Sequence, residues 1–588
     1  MSVISKVHGA SFLVNNTAPE DVVIADDMGE DERLLMRSIQ EFAAQEVAPV
    51  LDRIEQRDEA TIKSLFRKAA DLGIFMAEVP ESFGGLGLNV LAITGMSESR
   101  SYLAGLSSTV FAHQGIGTLP LINFGTDAQI AKYLQGCMDG ELMAAFALTE
   151  ANSGSDAMNI KTTAVLDDTG THYIINGSKQ WITNAGWADL FILFAKVDGT
   201  AFTAFLVERN TPGFSVGPHE RLLGLHGSSV CSLSLQDVQI PIDHVLGEVG
   251  KGHRVAMCTL NLGRMKMSAN CAGTSKKALT TATAYATERQ QFGQPIADFG
   301  AIQAKLAEMA ARAYAAESVA YRTAGLVYAA LEGLDCTERR SLDAKLSVLT
   351  EFAGECAIAK VFGSETYHAL SDETLQIFGG NGFSEEYPAA RMYRDSRITR
   401  IYEGTSEICR LSITKGILKR INRGLLVLPT SDGELQGVNS DGQRVLHGFK
   451  AIYQGLLREL LATIGTQALL ENDKQGHLLN LATIAIDLYA AESTVLRVAK
   501  LTQTRVGIDL SLAEQLTQLG IDQSTRSIRQ AATEILSTLH TGKALRLALI
   551  GLQDQLPLPP NMITLREHIA RALVERGGTL PHFPMRQS

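Results

Sequence analysis

The chain has 588 residues, 45% hydrophobic and 20% charged, with 52 Gly and 15 Pro; this excludes collagen-like and broadly disordered classes and implies several packed domains. A formal net charge of −11 with dispersed Lys and Arg excludes a basic phosphate-binding face, so nucleic acid is not an expected partner. Seven cysteines (Cys137, Cys231, Cys258, Cys271, Cys336, Cys356, Cys409) are scattered and never spaced as CxxC, which excludes a disulfide framework and a zinc ribbon and fits reduced thiols.

Residues 1–30 read as an arm. Met1 to Glu20 lacks a charged segment followed by an apolar one, so the expectation is an unsecreted protein of the bacterial cytoplasm. From 31 to 143 the pattern is helical: Leu34, Leu35, Ile39, Phe42, Ala43 and Val47 recur every three to four residues, and Leu65, Ala69 and Leu72 repeat the spacing before Gly73 stops it. Residues 144–252 change to short strand-like runs such as Tyr173 to Gly177, Asp189 to Phe194 and Ser232 to Val238, predicting a small β-barrel or sandwich.

Helical spacing returns over 253–423, with long Ala-rich helices predicted at Gly300 to Leu331 and Arg339 to Leu370, lengths that suit an antiparallel bundle. Residues 424–444, rich in Gly, Ser, Asp and Asn, read as a linker, and 445–588 as a helical extension. The sequence shows no evident internal repeat. The longest apolar run, Leu478 to Ala491, is broken by Asn480 and Asp487 and falls short of the roughly 18 residues a membrane span needs. Basic residues cluster only before the linker, at Lys415, Lys419, Arg420 and Arg423, so membrane attachment is disfavoured.

Two segments carry the chemistry. Ile401-Tyr402-Glu403-Gly404-Thr405-Ser406-Glu407-Ile408 places a lone carboxylate before a glycine, and it follows the glycine-rich Gln376-Ile377-Phe378-Gly379-Gly380-Asn381-Gly382-Phe383. Together they resemble the catalytic-base and flavin-edge motifs of the acyl-CoA dehydrogenases. With the extension, the order of segments is similar to the very-long-chain branch of that family. The resemblance implies a multidomain α+β fold: an N-terminal α-helical domain, a middle β-barrel, a C-terminal four-helix bundle bearing the base, and an extra C-terminal α-helical domain.

It also implies FAD as cofactor, acyl-CoA as substrate and electron-transfer flavoprotein as acceptor, in the first step of fatty-acid β-oxidation. Glu403 would remove the α-proton, its pKa raised by desolvation, while its backbone N–H polarises the thioester carbonyl and Gly404 lets the backbone approach. Asn261-Leu262-Gly263-Arg264 resembles a substrate-wall helix; Gly263 stands where some relatives carry an alternative base, which leaves Glu403 in that role. Asn261, Arg264, Tyr402 and Gly404 are thus implied substrate residues.

Phe146 to Asp156 resembles the first flavin segment, which implies flavin contacts from Phe146, Leu148, Thr149, Gly154 and Ser155, the last also meeting substrate. Trp181-Ile182-Thr183-Asn184 resembles the second, with Trp181 covering the ring and Ile182 and Thr183 beside it. Glu288 to Gly293 resembles the segment reaching a neighbouring subunit's flavin pyrophosphate through Arg289 and Phe292, joined there by Gln376, Gly379 and Gly380. Thr405 and Glu407 complete the implied flavin set, and an obligatory homodimer follows.

Taken singly, these residues have plainer readings: Glu403 a solvated loop carboxylate, Trp181 a core aromatic, Arg289 an exposed helix-end cation, Gly379 an ordinary left-handed turn. An acyl-CoA oxidase shares the architecture, and one relative with the same tail works as a respiratory-complex assembly factor. No G-x-G-x-x-G occurs, which argues against a Rossmann domain. Chain length is expected to be medium to long, because Phe111 stands where a glycine is expected in Ser107 to Gln114, the segment resembling the bottom of the acyl pocket.

Overall fold

The computed structural model describes residues 7–335, 338, 341–429 and 441–583. They form two compact units: one takes in Glu30–Lys266 and the stretch ending at Thr350, the other residues 7–29, Met267–Asp335 and Glu351 to 583.

In the first unit the longer helices are α1 (Glu30–Phe42), α2 (Glu59–Asp71), α3 (Val90–Ser99) and α4 (Asp127–Met138). The Asp58 side chain caps α2 by accepting from the Thr61 N–H at 2.9 Å, Ile62, Leu65, Phe66, Ala69 and Ala70 face the core, and Gly73 follows at φ 80°. Leu34 departs from the expected stripe: it is 56% exposed, while Ile39, Phe42, Ala43 and Val47 are buried.

Eight strands follow: β1 (Ala144–Ala147), β2 (Thr163–Leu166), β3 (His172–Thr183), β4 (Leu190–Val197), β5 (Ala201–Glu208), β6 (Phe214–His219), β7 (Val230–Pro241) and β8 (Val245–Leu246). They make one connected sheet in the order β6-β7-β3-β2-β4-β5-β8, with β1 parallel to β4. β4 is covered on both faces: Phe191, Leu193, Ala195 and Val197 join the core that holds the N-terminal helices, and Leu190, Ile192 and Phe194 join a second core with α4. Double burial explains why this strand reads as a continuous apolar run rather than an alternation.

Helix α5 (Gly252–Glu288) contributes to both units. Then come α6 (Gly300–Glu332), α7 (Leu342–Glu351), α8 (Ala353–Phe378), α9 (Pro388–Ile398) and α10 (Ser406–Asn422). The single helix predicted over Arg339 to Leu370 is two, because the chain leaves helical geometry at Phe352 (φ −102°, ψ 17°). In the extension, α11 (Asp441–Thr463), α12 (Gln475–Thr504), α13 (Ser511–Leu539), α14 (Gly542–Gln555) and α15 (Met562–Glu575) follow. α11 takes up the last residues assigned to the linker, and 430–440 lie outside the described residues.

The second unit joins bundle, extension and arm in shared cores: Phe12 and Leu13 pack with Ala357, Ile413, Leu457 and Tyr489. The stretch Asn472–Thr504 is long and apolar enough to cross a membrane, but its side chains are spent on this interior. Where α6 meets α12, a repeat emerges that the sequence reading did not find. Tyr314-Ala315-Ala316-Glu317-Ser318 with Arg322 recurs as Tyr489-Ala490-Ala491-Glu492-Ser493 with Arg497.

The two copies clasp each other antiparallel. Arg322 donates to Glu492 at 2.5 Å and Ser493 at 3.3 Å and lies 4.3 Å over the Tyr489 ring. Arg497 returns the arrangement, donating to Glu317 at 2.6 Å and Ser318 at 3.3 Å, and it too lies 4.3 Å over its partner ring, Tyr314. Lys276 and Lys450 add a second cation to Glu317 and Glu492. The arm is tied in as well, through Asp26 on Arg497 at 2.9 Å and the Asn15 carbonyl on Lys450 at 2.6 Å.

Candidate active site

In the first unit, β3 and the loop after β1 bring Phe146, Leu148, Thr149, Trp181, Ile182 and Thr183 together. The Gln180 N–H donates to the Thr149 carbonyl at 2.9 Å, and Glu150 and Ser153 exchange backbone hydrogen bonds that tighten the loop. A bulge between Lys179 and Ile182 breaks the β3–β7 register and turns Trp181 outward at φ 58°, half exposed, while Ile182 stays buried. Trp181 is therefore not a core aromatic.

Two supports in this half have roles that no motif announces. Lys179, buried beside Trp181, donates to the Leu148 carbonyl at 3.2 Å and to Glu150 at 2.8 Å, while Glu150 also accepts from the Lys161 and Thr162 N–H groups. Burial pulls the Lys179 amine down to about 8 despite Glu150; burial raises Glu150 in turn, but Lys179 and the hydrogen bonds outweigh it and hold the carboxyl below its usual range. His113 is a bolt rather than an acyl-pocket wall: it accepts from the Ala144 N–H at 3.0 Å and contacts the Cys137 carbonyl at 3.0 Å, and burial lowers its pKa to about 4. It pins the first residue of β1, and Asn184 donates to the Thr109 carbonyl at 2.9 Å to pin the end of β3.

Asn261 and Arg264 are buried on one face of α5, hydrogen-bonded to each other at 3.3 Å. In the segment before β1, the Arg100 guanidinium lies 5.0 Å from the Phe111 ring centroid, and that ring fills the side left bare by Gly115, where a Cβ would come within 2.6 Å of it.

In the second unit Glu403 sits on the turn between α9 and α10, at φ 57°, followed by Gly404 at φ 92°. The left-handed region costs a non-glycine residue about 1–2 kcal/mol, so the surroundings must enforce it. They do: buried Lys360 of α8 donates to the Gly404 carbonyl at 2.6 Å, the Ser406 N–H donates to the Arg400 carbonyl, and the Thr405 hydroxyl caps α10 by accepting from the Ile408 N–H. Tyr402 is partly exposed beside it. Glu407, in the first turn of α10, is held below the usual carboxylate range by its own backbone N–H.

Arg289 stands exposed just past the end of α5. Beyond it the two-residue turn Phe292-Gly293 (φ 51° and 84°) joins Gln290–Gln291 to Gln294–Pro295 and leaves Phe292 94% exposed at its tip. Tyr285, one turn before Arg289, stacks on Phe378 at 3.9 Å and hydrogen-bonds the Phe378 carbonyl and Asn381, which brings the Gln376, Gly379 and Gly380 turn to the Arg289 segment. Trp181, Asn184, Phe292 and Glu403 are four of ten non-glycine residues with left-handed φ among those described, one or more in each of three motifs. Such strain concentrates where geometry serves function.

These residues fit a bound dinucleotide. Gly154 and Gly380 have no left-handed φ, and a Cβ on either would meet nothing within 4 Å, so the main chain at both is open to a ligand lying close against it. Exposed Arg289 offers a planar fork for phosphate.

Models of the acyl-CoA dehydrogenase N-terminal, middle and C-terminal domains match residues 29–141, 145–238 and 250–418, and a further C-terminal domain model of the same family matches 461–554. The chain belongs to the acyl-CoA dehydrogenase family. Members of this family are FAD-dependent oxidoreductases. A probable acyl-CoA dehydrogenase of Bacillus subtilis is 38% identical over 96% of this chain and 97% of its own. Human mitochondrial very long-chain specific acyl-CoA dehydrogenase is 41% identical over 62% of this chain and 53% of its own. The crystal structure of an acyl-CoA dehydrogenase complexed with FAD from Bacillus anthracis superposes with a TM-score of 0.93 at 39% identity, covering 97% of this chain and 99% of that one. Butyryl-CoA dehydrogenase of Megasphaera elsdenii covers only 67% of this chain, at a TM-score of 0.60 and 37% identity.

Proposed function

We propose that this acyl-CoA dehydrogenase oxidises medium- to long-chain acyl-CoA thioesters to trans-2-enoyl-CoA in fatty-acid β-oxidation and hands the electrons to electron-transfer flavoprotein. The observation that carries the reading is Glu403 held in a strained turn by Lys360 and Gly404. A carboxylate fixed there at no cost at the moment of reaction can take the α-proton, while Gly404 admits the thioester close to the main chain. Bound FAD supplies the acceptor for the β-hydride. Trp181, Thr149 and Thr183 orient it from one unit, and Lys179 with Glu150 holds their loop. Anaerobic titration with acyl-CoA tests the reading: a yellow protein should bleach and yield the enoyl product. Peroxide formation in air at the turnover rate would make it an oxidase instead, and a colourless protein would leave it a structural role.

The same reading makes the enzyme a cytoplasmic homodimer in which Arg289 serves the neighbour's flavin. Phe292, an aromatic projected into solvent on a strained turn, supports it. Arg289→Ala should weaken FAD retention, and a purified heterodimer of one Arg289→Ala chain with one Glu403→Gln chain should keep one intact site, hence about half of wild-type activity. Heterodimers no more active than the two parents would place the flavin within a single chain.

Chain length is read from Phe111, whose ring is clamped by Arg100 against Gly115. Phe111→Gly should move the kcat/KM optimum toward longer acyl chains, measured over four to eighteen carbons; an unchanged profile would remove Phe111 from chain-length selection.

A further inference from the structure

A cavity of about 250 Å³ lies where the extension meets the bundle, within the second unit. It is bordered by α6, α8, α10, α12 and α13, and small residues such as Ala315, Ala490, Ala491 and Gly520 leave it open. A space of this size holds several waters, far more than a single bridging one. On α12 it exposes the carboxyl of Asp487. In the repeat that pairs α6 with α12, Asp487 occupies the place Arg312 holds on α6, so the clasp is broken in charge at this one point.

The two buried glutamates of the clasp are each saturated with cations, Glu317 by Lys276 and Arg497, Glu492 by Arg322 and Lys450. Among the described residues no ion pair reaches Asp487. The charged groups facing it are Arg312 from α6, which stays beyond ion-pair distance, Glu365 from α8, and Arg410 from α10, which is committed to Glu365 by two hydrogen bonds of 2.6 and 2.8 Å. α13 presents no charge to the cavity, only Gln523, Ser524 and Ser527, and the Ser527 hydroxyl donates to the Asp487 carboxylate at 2.6 Å.

We propose that Asp487 makes the hold of the extension on the bundle pH-sensitive, tightening as its carboxyl takes up a proton and loosening as it ionises. The carboxylate in the closed joint has one hydroxyl and confined water, whereas in an opened joint it has bulk water, so ionisation favours opening. Burial raises its pKa from 3.8 to about 6, with Ser527, Arg312 and Arg410 only partly offsetting it. For a carboxyl raised on closing, the penalty starts at the opened-state value near 3.8, grows through about 6 and is constant above it.

Hydrogen exchange of the full-length enzyme, read on peptides covering Leu478 to Arg497, tests this. At each pH, opening in the wild type is compared with Asp487→Asn, so the intrinsic exchange rate cancels. The wild-type to variant ratio should rise about tenfold between pH 5 and pH 8 and then level off, the span expected for a shift from 3.8 to about 6. A ratio that does not change with pH overturns the proposal. Should the Asn variant fail to fold, Ser527→Ala carries the test: losing the donor to the charged form must increase opening more at pH 8 than at pH 5, and equal increases at both overturn it.

Discussion

Glu403→Gln should keep FAD, seen as an unchanged yellow absorbance per chain, and lose turnover by about 10²–10⁴-fold, the range one positioned general base contributes. The amide preserves the shape of the side chain on the turn that Lys360 and Gly404 enforce, so folding and cofactor retention should be spared. It cannot accept the α-proton. Substrate should still bind, and anaerobic mixing with acyl-CoA should give the yellow complex without bleaching. Near-wild-type turnover in a yellow preparation would take Glu403 out of the mechanism; loss of colour together with activity would mean the variant had damaged the site rather than the chemistry.

What could be read from the sequence was what local spacing or a contiguous motif encodes. The helix predicted from Gly300 to Leu331 is α6, Gly300–Glu332, and Gly73 stops α2 as expected because its φ of 80° is one that other residues adopt only with strain. The break at Phe352 was not legible, since apolar spacing runs through it unbroken and only the backbone departs. The α6–α12 repeat was hidden because its copies are far apart and share little beyond Tyr-Ala-Ala-Glu-Ser and one Arg; only their mutual contact shows that these positions matter together. Glu403 and Trp181 stood in motifs. Lys360 and Lys179 did not, and His113 stood in the segment resembling the acyl pocket but in another role, because each acts on a partner remote in sequence: Lys360 on a carbonyl 44 residues away and His113 on a strand 31 residues away.

Arg497→Met should be the most damaging single change outside the site, costing about 3–5 kcal/mol because it leaves buried carboxylates short of their cation. Arg497 is fully buried, on Glu317 at 2.6 Å and on Asp26 at 2.8 Å. Burial would raise both acids, but the Arg497 guanidinium beside Asp26, and Lys276 with Arg497 beside Glu317, hold them well below the usual carboxylate range. Stability from carboxyls lowered in this way is complete above their unfolded values, 3.8 and 4.5, and is lost as the pH falls through the folded ones, so the wild-type joint should weaken on the acid side of the range in which Asp487 takes up its proton. Arg497→Met should flatten that acid dependence as well as lower the urea midpoint. Arg322 repeats the Glu, Ser and Tyr contacts in the other direction but has no counterpart of the Asp26 pair, so Arg322→Met should cost less than Arg497→Met while remaining clearly destabilising, and the double variant should cost less than the two together if the clasp acts as one network. A large loss at one arginine and none at the other would show that only half of the clasp holds the extension to the bundle.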